Sequence, residues 1–80
     1  MKATVLVRPK EGILDPQGDA VQHSLQKLGF DVLTARVGRV IDLDLEAPGI
    51  DEARATIERM CAELLANPLI ESVEIQVEGS

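Results

Sequence analysis

A helix start at Asp15-Pro16, placed between two runs of β-forming residues, is the feature that most constrains how this chain can fold. Asp15 is suited to accept hydrogen bonds from the free amides of the first helical turn, and Pro16 presets φ where no amide is needed. Gly18 follows in that turn, where Ala would stabilise the helix by about 1 kcal/mol more. A glycine at such a position indicates close approach of another backbone, either from a partner or from the protein's own strand–helix crossing.

The first half of the chain predicts strand, helix and strand. Residues Ala3–Arg8 are rich in β-formers and stop at Pro9. The helix is expected from about Pro16 to Leu28, and Gly29 follows it in the usual terminating position. A second strand is expected at Phe30–Val37. The stripe expected to be buried on the helix comprises Ala20 or Val21, Leu25 and Leu28.

The second half repeats strand, helix and strand. Gly38-Arg39 has the turn chemistry of a hairpin, and Val40–Glu46 alternates apolar with acidic residues. Asp51 is a good N-cap for a helix through about Ala66, which Asn67-Pro68 ends. The stripe expected to be buried on this helix comprises Ala53, Ile57, Met60 or Cys61, and Leu64. The last strand carries Val73, Ile75 and Val77 on one face.

The order βαββαβ predicts an α+β fold of the ferredoxin-like type, with an antiparallel sheet and both helices on one face. Residues 1–80 form a single domain. Burial on folding and ordering of the chain each amount to about 120 kcal/mol and cancel, so a lone monomer is marginal. We therefore expect a homodimer or a dimer of dimers that associates through the sheet and its strands, whose open face is a natural place for a second subunit.

Composition excludes several classes of partner and cofactor. The net charge is −6, no basic run is present, and Phe30 is the single aromatic residue, which argues against nucleic acid. No apolar stretch reaches membrane-spanning length and no signal peptide opens the chain, so no membrane partner and a cytoplasmic location are expected. One cysteine beside one histidine is too few for a disulfide or a zinc cage.

The reactive side chains point to no catalytic residue. His23 lies off the apolar stripe of its helix and is expected to be solvated or at an interface rather than a general base. Cys61 falls inside an apolar stripe and is expected to be a buried structural thiol. Asp42 and Asp44 share one face of a strand, where a solvated or interfacial role is the default. The chain has no phosphate loop and no nucleophile–base pairing.

Four segments in order give the whole chain a resemblance to the PurS family, the small subunit of bacterial phosphoribosylformylglycinamidine synthase. They are Gly12-Ile13-Leu14-Asp15-Pro16-Gln17-Gly18, Leu28-Gly29-Phe30, Arg36-Val37-Gly38-Arg39 and Leu64-Leu65-Ala66-Asn67-Pro68-Leu69-Ile70-Glu71. Two positions depart from the family. Arg39 stands where Lys is common, which keeps the charge and permits a bidentate contact. Ser72 or Val73 fills a position that is often aromatic.

The resemblance implies a non-catalytic subunit of an ATP-dependent, glutamine-hydrolysing ligase of purine biosynthesis. In that family a glutaminase subunit releases ammonia and a large synthetase subunit uses ATP and Mg²⁺. The small subunit, as a dimer, bridges the two and assists ammonia transfer, and it binds no cofactor of its own.

Two alternatives of other classes remain. One is a dimeric ligand-sensing regulatory module of the same fold, with the Asp15–Gly18 loop as its site. The other, an acylphosphatase-like enzyme, needs an amide-rich phosphate loop that Pro9–Leu14 lacks.

Partner contacts are predicted where the sequence departs from what the isolated fold needs. Gly18 weakens its own helix, so the helix start around it is the first candidate. The second candidate is Arg39, which stands where the family commonly has lysine. The third is Asn67-Pro68, which ends the second helix. The candidate partner-contact residues are Asp15, Pro16, Gln17, Gly18, Arg39, Asn67 and Pro68.

Overall fold

The computed structural model describes residues 1–78 and contains three strands and two helices. β1 (Lys2–Pro9) is the middle strand of an antiparallel sheet, with β2 (Arg39–Asp44) on one side and β3 (Glu71–Glu78) on the other. The helices are α1 (Pro16–Lys27) and α2 (Ile50–Met60), and a π-helical turn, Cys61–Leu65, extends α2. The α+β class and the antiparallel sheet are therefore confirmed, with one of the four expected strands absent from the sheet.

The hydrophobic core lies between the sheet and α2. Alternation on β1 places Ala3, Val5 and Val7 on one face, where all three are buried. From α2, Ala53 and Ile57 are fully buried, and Cys61 follows one turn later. In the register of the sheet, Val5 lies opposite Ile41 of β2 and Ile75 of β3, so the three strands present one apolar face. The buried stripe expected on the second helix is thus confirmed as far as Cys61.

The two ends of α2 differ from the prediction. Gly49 is the N-cap and the helix begins at Ile50, so the expectation that Asp51 is the N-cap is wrong. Asp51 lies instead in the first turn, where a carboxylate still interacts favourably with the positive end of the helix dipole.

At the C-terminal end of α2, the amide of Ala66 donates to the carbonyl of Cys61, which closes a π-helical turn. The wider turn rotates Leu64 out of the stripe, leaving it 84% exposed, while Leu65 becomes half-buried. The expectation of a buried Leu64 is wrong for this reason.

The first helix and the segment after it form a unit that we call the arm, residues Pro16–Val37. Within the described chain, α1 packs against neither the sheet nor α2. The segment after α1 runs back alongside it, and the side chain of Gln26 donates to the carbonyl of Val32 at 2.8 Å. Residues Phe30–Val37 have no regular structure, with a bend at Leu33, and form no strand of the sheet, so that prediction is wrong.

The arm also leaves its apolar side chains uncovered. Leu25 is half-buried, but Val21 and Leu28 are exposed, which contradicts the buried stripe expected on the first helix. Gly29 ends the helix as expected, with a φ of 97°.

No hairpin turn joins the arm to β2. Arg39 is the first residue of β2 and lies opposite Val7 on β1, and no turn interrupts residues Thr34–Gly38. Gly38 has no positive φ, which a two-residue hairpin turn built on it requires. A side chain at Gly38 would collide with the carbonyl oxygen of Val7. The expected turn at Gly38-Arg39 is therefore wrong, and the chain passes from the arm into β2 without reversing.

The outstretched arm makes the protomer long and gives it a large surface. Its extents are 50 × 26 × 14 Å and its radius of gyration is 15.8 Å. A compact chain of this length has a radius of gyration of about 12 Å. The accessible surface is 5924 Å², whereas scaling with mass gives about 4,700 Å². The protomer thus exposes about 1,200 Å² more than a compact chain of its size.

Candidate docking surface

The carboxylate of Asp15 holds the two ends of the arm together. Its Oδ1 accepts a hydrogen bond from the amide of Gly18 at 3.0 Å, which confirms Asp15 as the N-cap of α1. Its Oδ2 accepts from the amide of Val37 at 2.9 Å, at the far end of the arm. The amides of Val37 and Gly18 lower the pKa of Asp15, and the nearby guanidinium of Arg36 adds to the effect.

The buried Gly18 is explained by the protein's own strand–helix crossing. A side chain at this position would collide with the carbonyl oxygen of Ala35, on the segment of the arm that follows α1. The backbone that approaches Gly18 is therefore internal, which is the second of the two explanations given for this glycine, and no partner is needed to account for it. Pro16 and Gln17, beside it, are exposed and remain predicted contacts.

A second cluster ties the beginnings of β2 and β3 together across the end of β1. Arg39 Nη1 donates to Glu71 Oε2 at 2.7 Å, and Nη2 donates to Oε1 at 3.1 Å and to the carbonyl of Leu65. The same Glu71 accepts from the amide of Asn67 at 2.8 Å. The bonds from Arg39 and then from Asn67 lower the pKa of Glu71, and the bond to Glu71 raises the pKa of Arg39.

The loop before β3 is fixed by its own polar groups. Asn67 Oδ1 accepts from the amide of Leu69 at 3.1 Å, and Lys10 Nζ donates to the carbonyl of Pro68 at 2.7 Å. Three predicted contact residues, Arg39, Asn67 and Pro68, are thereby brought to one place. Sequence reasoning missed Glu71 and Lys10, because only the register of the sheet puts the starts of β2 and β3 on either side of β1.

The two clusters lie at the same end of the sheet. Arg36 lines a groove with Asp15 on one side and a second groove with Arg39 on the other. We call the exposed residues of this end the junction surface. It consists of Pro16, Gln17, Arg36, Arg39, Asn67 and Pro68. Two of its side chains are fixed by hydrogen bonds to backbone groups, since Arg39 donates to the carbonyl of Leu65 and Asn67 accepts from the amide of Leu69.

The reactive side chains lie apart from one another. His23 is exposed on α1, as expected. Cys61 is buried, as expected, and burial together with the nearby Glu58 raises the pKa of its thiol.

The acidic pair on the sheet is exposed. Asp42 accepts from Thr4 Oγ1 at 3.1 Å, and Asp44 lies 3.5 Å from the terminal amine of Met1. Across residues 1–78, the His, Cys, Asp and Glu side chains form no group of three that could hold a metal ion. Nor does any helix in that range have the length and apolar character to cross a bilayer.

Comparison with protein families and sequences gives one consistent result. Residues 2–79 match the family described as PurS: Phosphoribosylformylglycinamidine (FGAM) synthase. The PurS subunit of FGAM synthase from Methanocaldococcus jannaschii is 40% identical over 78 residues, which cover 96% of this chain and 94% of that protein. The corresponding subunit from a Synechocystis species is 48% identical over 69 residues, which cover 85% of this chain and 67% of that protein.

Solved structures agree over nearly the whole chain. The crystal structure of Methanocaldococcus jannaschii PurS, described as one of the subunits of formylglycinamide ribonucleotide amidotransferase, has a TM-score of 0.86, with 96% of this chain and 94% of that chain covered. A chain of the structure of PurLQS from Thermotoga maritima also has a TM-score of 0.86 at 30% identity, covering 94% of this chain and 93% of that chain.

Proposed function

Because the chain belongs to the PurS family of FGAM synthase subunits, a ligase complex of purine biosynthesis, we propose that it is the non-catalytic subunit that bridges the glutaminase and the synthetase. The match over residues 2–79 carries this proposal. The relative solved as PurLQS supports it, since that structure is named for three subunits. The chemistry of the site agrees, because the exposed His23 and the buried Cys61 lie on separate elements and form no nucleophile–base pair.

The bridging role gives this subunit a physical part in ammonia transfer. Ammonia attacks only as the neutral base, and in neutral water it is mostly protonated. A protein that closes the gap between the site of release and the site of use reduces contact with bulk water and preserves the reactive form. This role needs a shaped, rigid surface and no catalytic side chain. ATP and Mg²⁺ then act on the large subunit, and the complex works in the cytoplasm.

A homodimer, or a dimer of such dimers, is the form in which we propose that the chain acts. The protomer exposes 5924 Å², about 1,200 Å² above a compact chain of this mass. A standard protein interface removes about 800 Å² from each partner. One self-association of standard size would therefore remove about two thirds of the excess exposed area of each protomer.

Reconstitution tests the bridging role. The chain is added to its purified glutaminase and synthetase subunits, and synthesis of the amidine product is followed with glutamine and, separately, with ammonium chloride as the nitrogen source. We expect the chain to raise the glutamine-dependent rate at least tenfold and to change the ammonium-dependent rate little. Equal rates with and without the chain in the glutamine assay contradict the proposal.

Two matched variants test the junction surface as the contact with the other subunits. Gln17→Arg places a charge on that surface, and Gln76→Arg places the same charge on an exposed position of β3. We expect the first to weaken assembly with the glutaminase or the synthetase at least tenfold and the second to leave assembly unchanged. Normal assembly of Gln17→Arg removes the junction surface from the proposal.

A further inference from the structure

Two leucines near the end of α2 are exposed although their surroundings are well ordered by hydrogen bonds. Leu64 is 84% exposed and Leu69 is 82% exposed. Leu64 follows Ile57 by seven residues and Cys61 by three, a spacing that in a regular α-helix keeps all three on one face. The π-helical turn moves Leu64 into solvent instead. Single π-helical turns are frequently found at functional sites, so this leucine is a candidate for a contact outside the protomer.

The segment that carries both leucines has a fixed backbone. Arg39 donates to the carbonyl of Leu65, one of the carbonyls that the end of a helix leaves without a partner. In the following loop, the amide of Leu69 donates to Asn67 Oδ1 and the amide of Ile70 donates to the Asn67 carbonyl, each at 3.1 Å. An apolar side chain on a fixed backbone loses less conformational entropy on binding than one on a mobile loop.

A shallow groove of about 190 Å³ lies between the π-helical turn and the start of β3. Small-molecule sites measure about 300–1,000 Å³, so this groove is too small for a metabolite and better suited to a side chain of another protein. The apolar residues that line the groove are neighbours of the two leucines in the chain or belong to β3. They include Ala62, Ala66, Pro68 and Val73.

The groove has one carboxylate that no cation of the protomer neutralises. Glu71 is paired with Arg39 at 2.7 Å. Glu58 also lines the groove, and within residues 1–78 it forms no ion pair. A basic group of a partner placed beside Glu58 would therefore be attracted to it. Apolar walls with one unpaired carboxylate favour an apolar side chain that is followed or preceded by a basic residue.

We propose that Leu64, Leu69 and this groove form a docking surface for an apolar side chain next to a lysine or arginine on one of the two larger subunits. We call it the leucine surface. Asn67 and Pro68 of the junction surface lie between the two leucines in the chain, so the two surfaces are continuous. Interfaces commonly have an apolar centre and a polar rim, which these two surfaces would supply. The inference rests on the proposed function and adds the apolar part of its contact.

A second copy of this chain fits the leucine surface less well. In a symmetric contact the same patch of both copies comes together, so the groove of one copy would meet the groove of the other. The two Glu58 carboxylates would then approach each other, and like charges oppose association. A basic segment of a different subunit meets no such repulsion.

Two matched substitutions to glutamine provide the first test. Leu64→Gln removes an exposed apolar side chain from the leucine surface, and Ile50→Gln removes one, 46% exposed, from the opposite end of α2. Binding of each variant to the purified glutaminase and to the purified synthetase is measured by biolayer interferometry. We expect Leu64→Gln to raise the dissociation constant for one of them at least tenfold and Ile50→Gln to change it less than threefold. Unchanged binding of Leu64→Gln to both subunits overturns the docking surface.

Two matched charge reversals provide the second test. Glu58→Lys alters the groove, whereas Glu46→Lys makes the same change at an exposed position beyond the other end of the sheet. We expect Glu58→Lys to weaken binding to the same subunit at least tenfold at low salt, with a smaller loss in 0.5 M NaCl, where the charges are screened. Glu46→Lys should change binding less than threefold. Equal losses in the two variants would show only a general attraction and overturn the groove as the site.

Two controls separate this inference from the proposed function and from self-association. If the unmodified chain neither binds the larger subunits nor raises glutamine-dependent synthesis, the bridging role fails and the docking surface fails with it. If the unmodified chain does both and Leu64→Gln does so equally well, only the docking surface is wrong. Sedimentation velocity covers the remaining case, since a loss of self-association in Leu64→Gln at unchanged binding to the larger subunits assigns the leucine surface to a second copy.

Discussion

The arm and the region formed by the sheet and α2 each contain a helix with apolar residues along one face. In the second region this face is buried, and in the arm it is exposed. On α2, an apolar residue at each turn is buried, with Ile57 completely inaccessible. On α1, the apolar residues Val21 and Leu28, which lie about two turns apart, are exposed. The periodicity of apolar residues shows which face of a helix tends to be buried. It does not show which element, or which chain, buries that face. The two regions therefore differ in whether another element of the protomer packs against the apolar face of the helix.

The largest contrast is expected from truncating one apolar side chain in each region. Ile57→Ala opens a cavity in the core and should reduce the free energy of unfolding by about 3 kcal/mol. Val21→Ala, on the arm, should change this value by less than about 0.5 kcal/mol, because Val21 is exposed in the protomer. Urea denaturation of both variants measures the difference. Equal losses would show that the arm is packed within the protomer.

Gly18→Ala sharpens the comparison within the arm itself. Helix propensity alone predicts a gain of about 1 kcal/mol, because Ala is the better helix former. The added methyl group collides with the carbonyl of Ala35, so we expect a net loss of about 1–2 kcal/mol. Thermal unfolding measures the sign, with Ser24→Ala on exposed α1 as the control for propensity. A stabilised Gly18→Ala protein contradicts the crossing described for the arm.

Cys61 tests the core at the start of the π-helical turn. Cys61→Ala should reduce the free energy of unfolding by about 1 kcal/mol, because it removes a buried sulfur without removing a polar contact. Glutamine-dependent synthesis by the reconstituted complex should not change. The thiol of the folded protein should react slowly with iodoacetamide, because burial raises its pKa. Loss of synthesis at unchanged thermal stability would give Cys61 a role outside the core.

The smallest effect is expected from acid, and it should differ between the regions. The pKa values of Asp15 in the arm and Glu71 at the sheet are both lowered in the folded protein. Each carboxylate therefore contributes its stability above its unfolded pKa of about 4 and loses it as pH falls through the lower folded value.

Two variants separate these contributions. Asp15→Asn should flatten the acid dependence of amide exchange in the arm, and Glu71→Gln should flatten it at the start of β3. Asp19→Asn, in the exposed first turn of α1, is the control. Identical pH profiles for all four proteins would remove both carboxylates as a source of acid sensitivity.

The comparison also explains how far the sequence predicts the structure. The strands β1 and β3, the N-cap Asp15 and the buried stripe from Ala53 to Cys61 follow from local propensity and period, which act within one segment. The path of residues 30–38 does not, because it depends on whether a hairpin closes within one chain. The exposure of Leu64 was missed because a π-helical turn changes the period without a distinct residue signal.

For the candidate surface, the sequence predicted individual residues but not the contacts that bring them together. Arg39, Asn67 and Pro68 were identified one by one, and the structure brings the first two together through Glu71, whereas Pro68 accepts a hydrogen bond from Lys10. The common partner of Arg39 and Asn67 lies at the start of β3, so no spacing in the sequence reveals it. Gly18 was identified correctly as a place of close backbone approach, but the approaching residue, Ala35, belongs to the same chain.

The bond from Asp15 to Val37 has a consequence for the order in which the protein folds. It joins residues 22 positions apart, so the arm closes on contacts that are near in sequence and form quickly. The pairing of Lys2 with Glu78 joins residues far apart in the sequence and requires residues 2–78 to have been synthesised. During synthesis, the contacts within the arm can therefore form before β3 is available to complete the sheet.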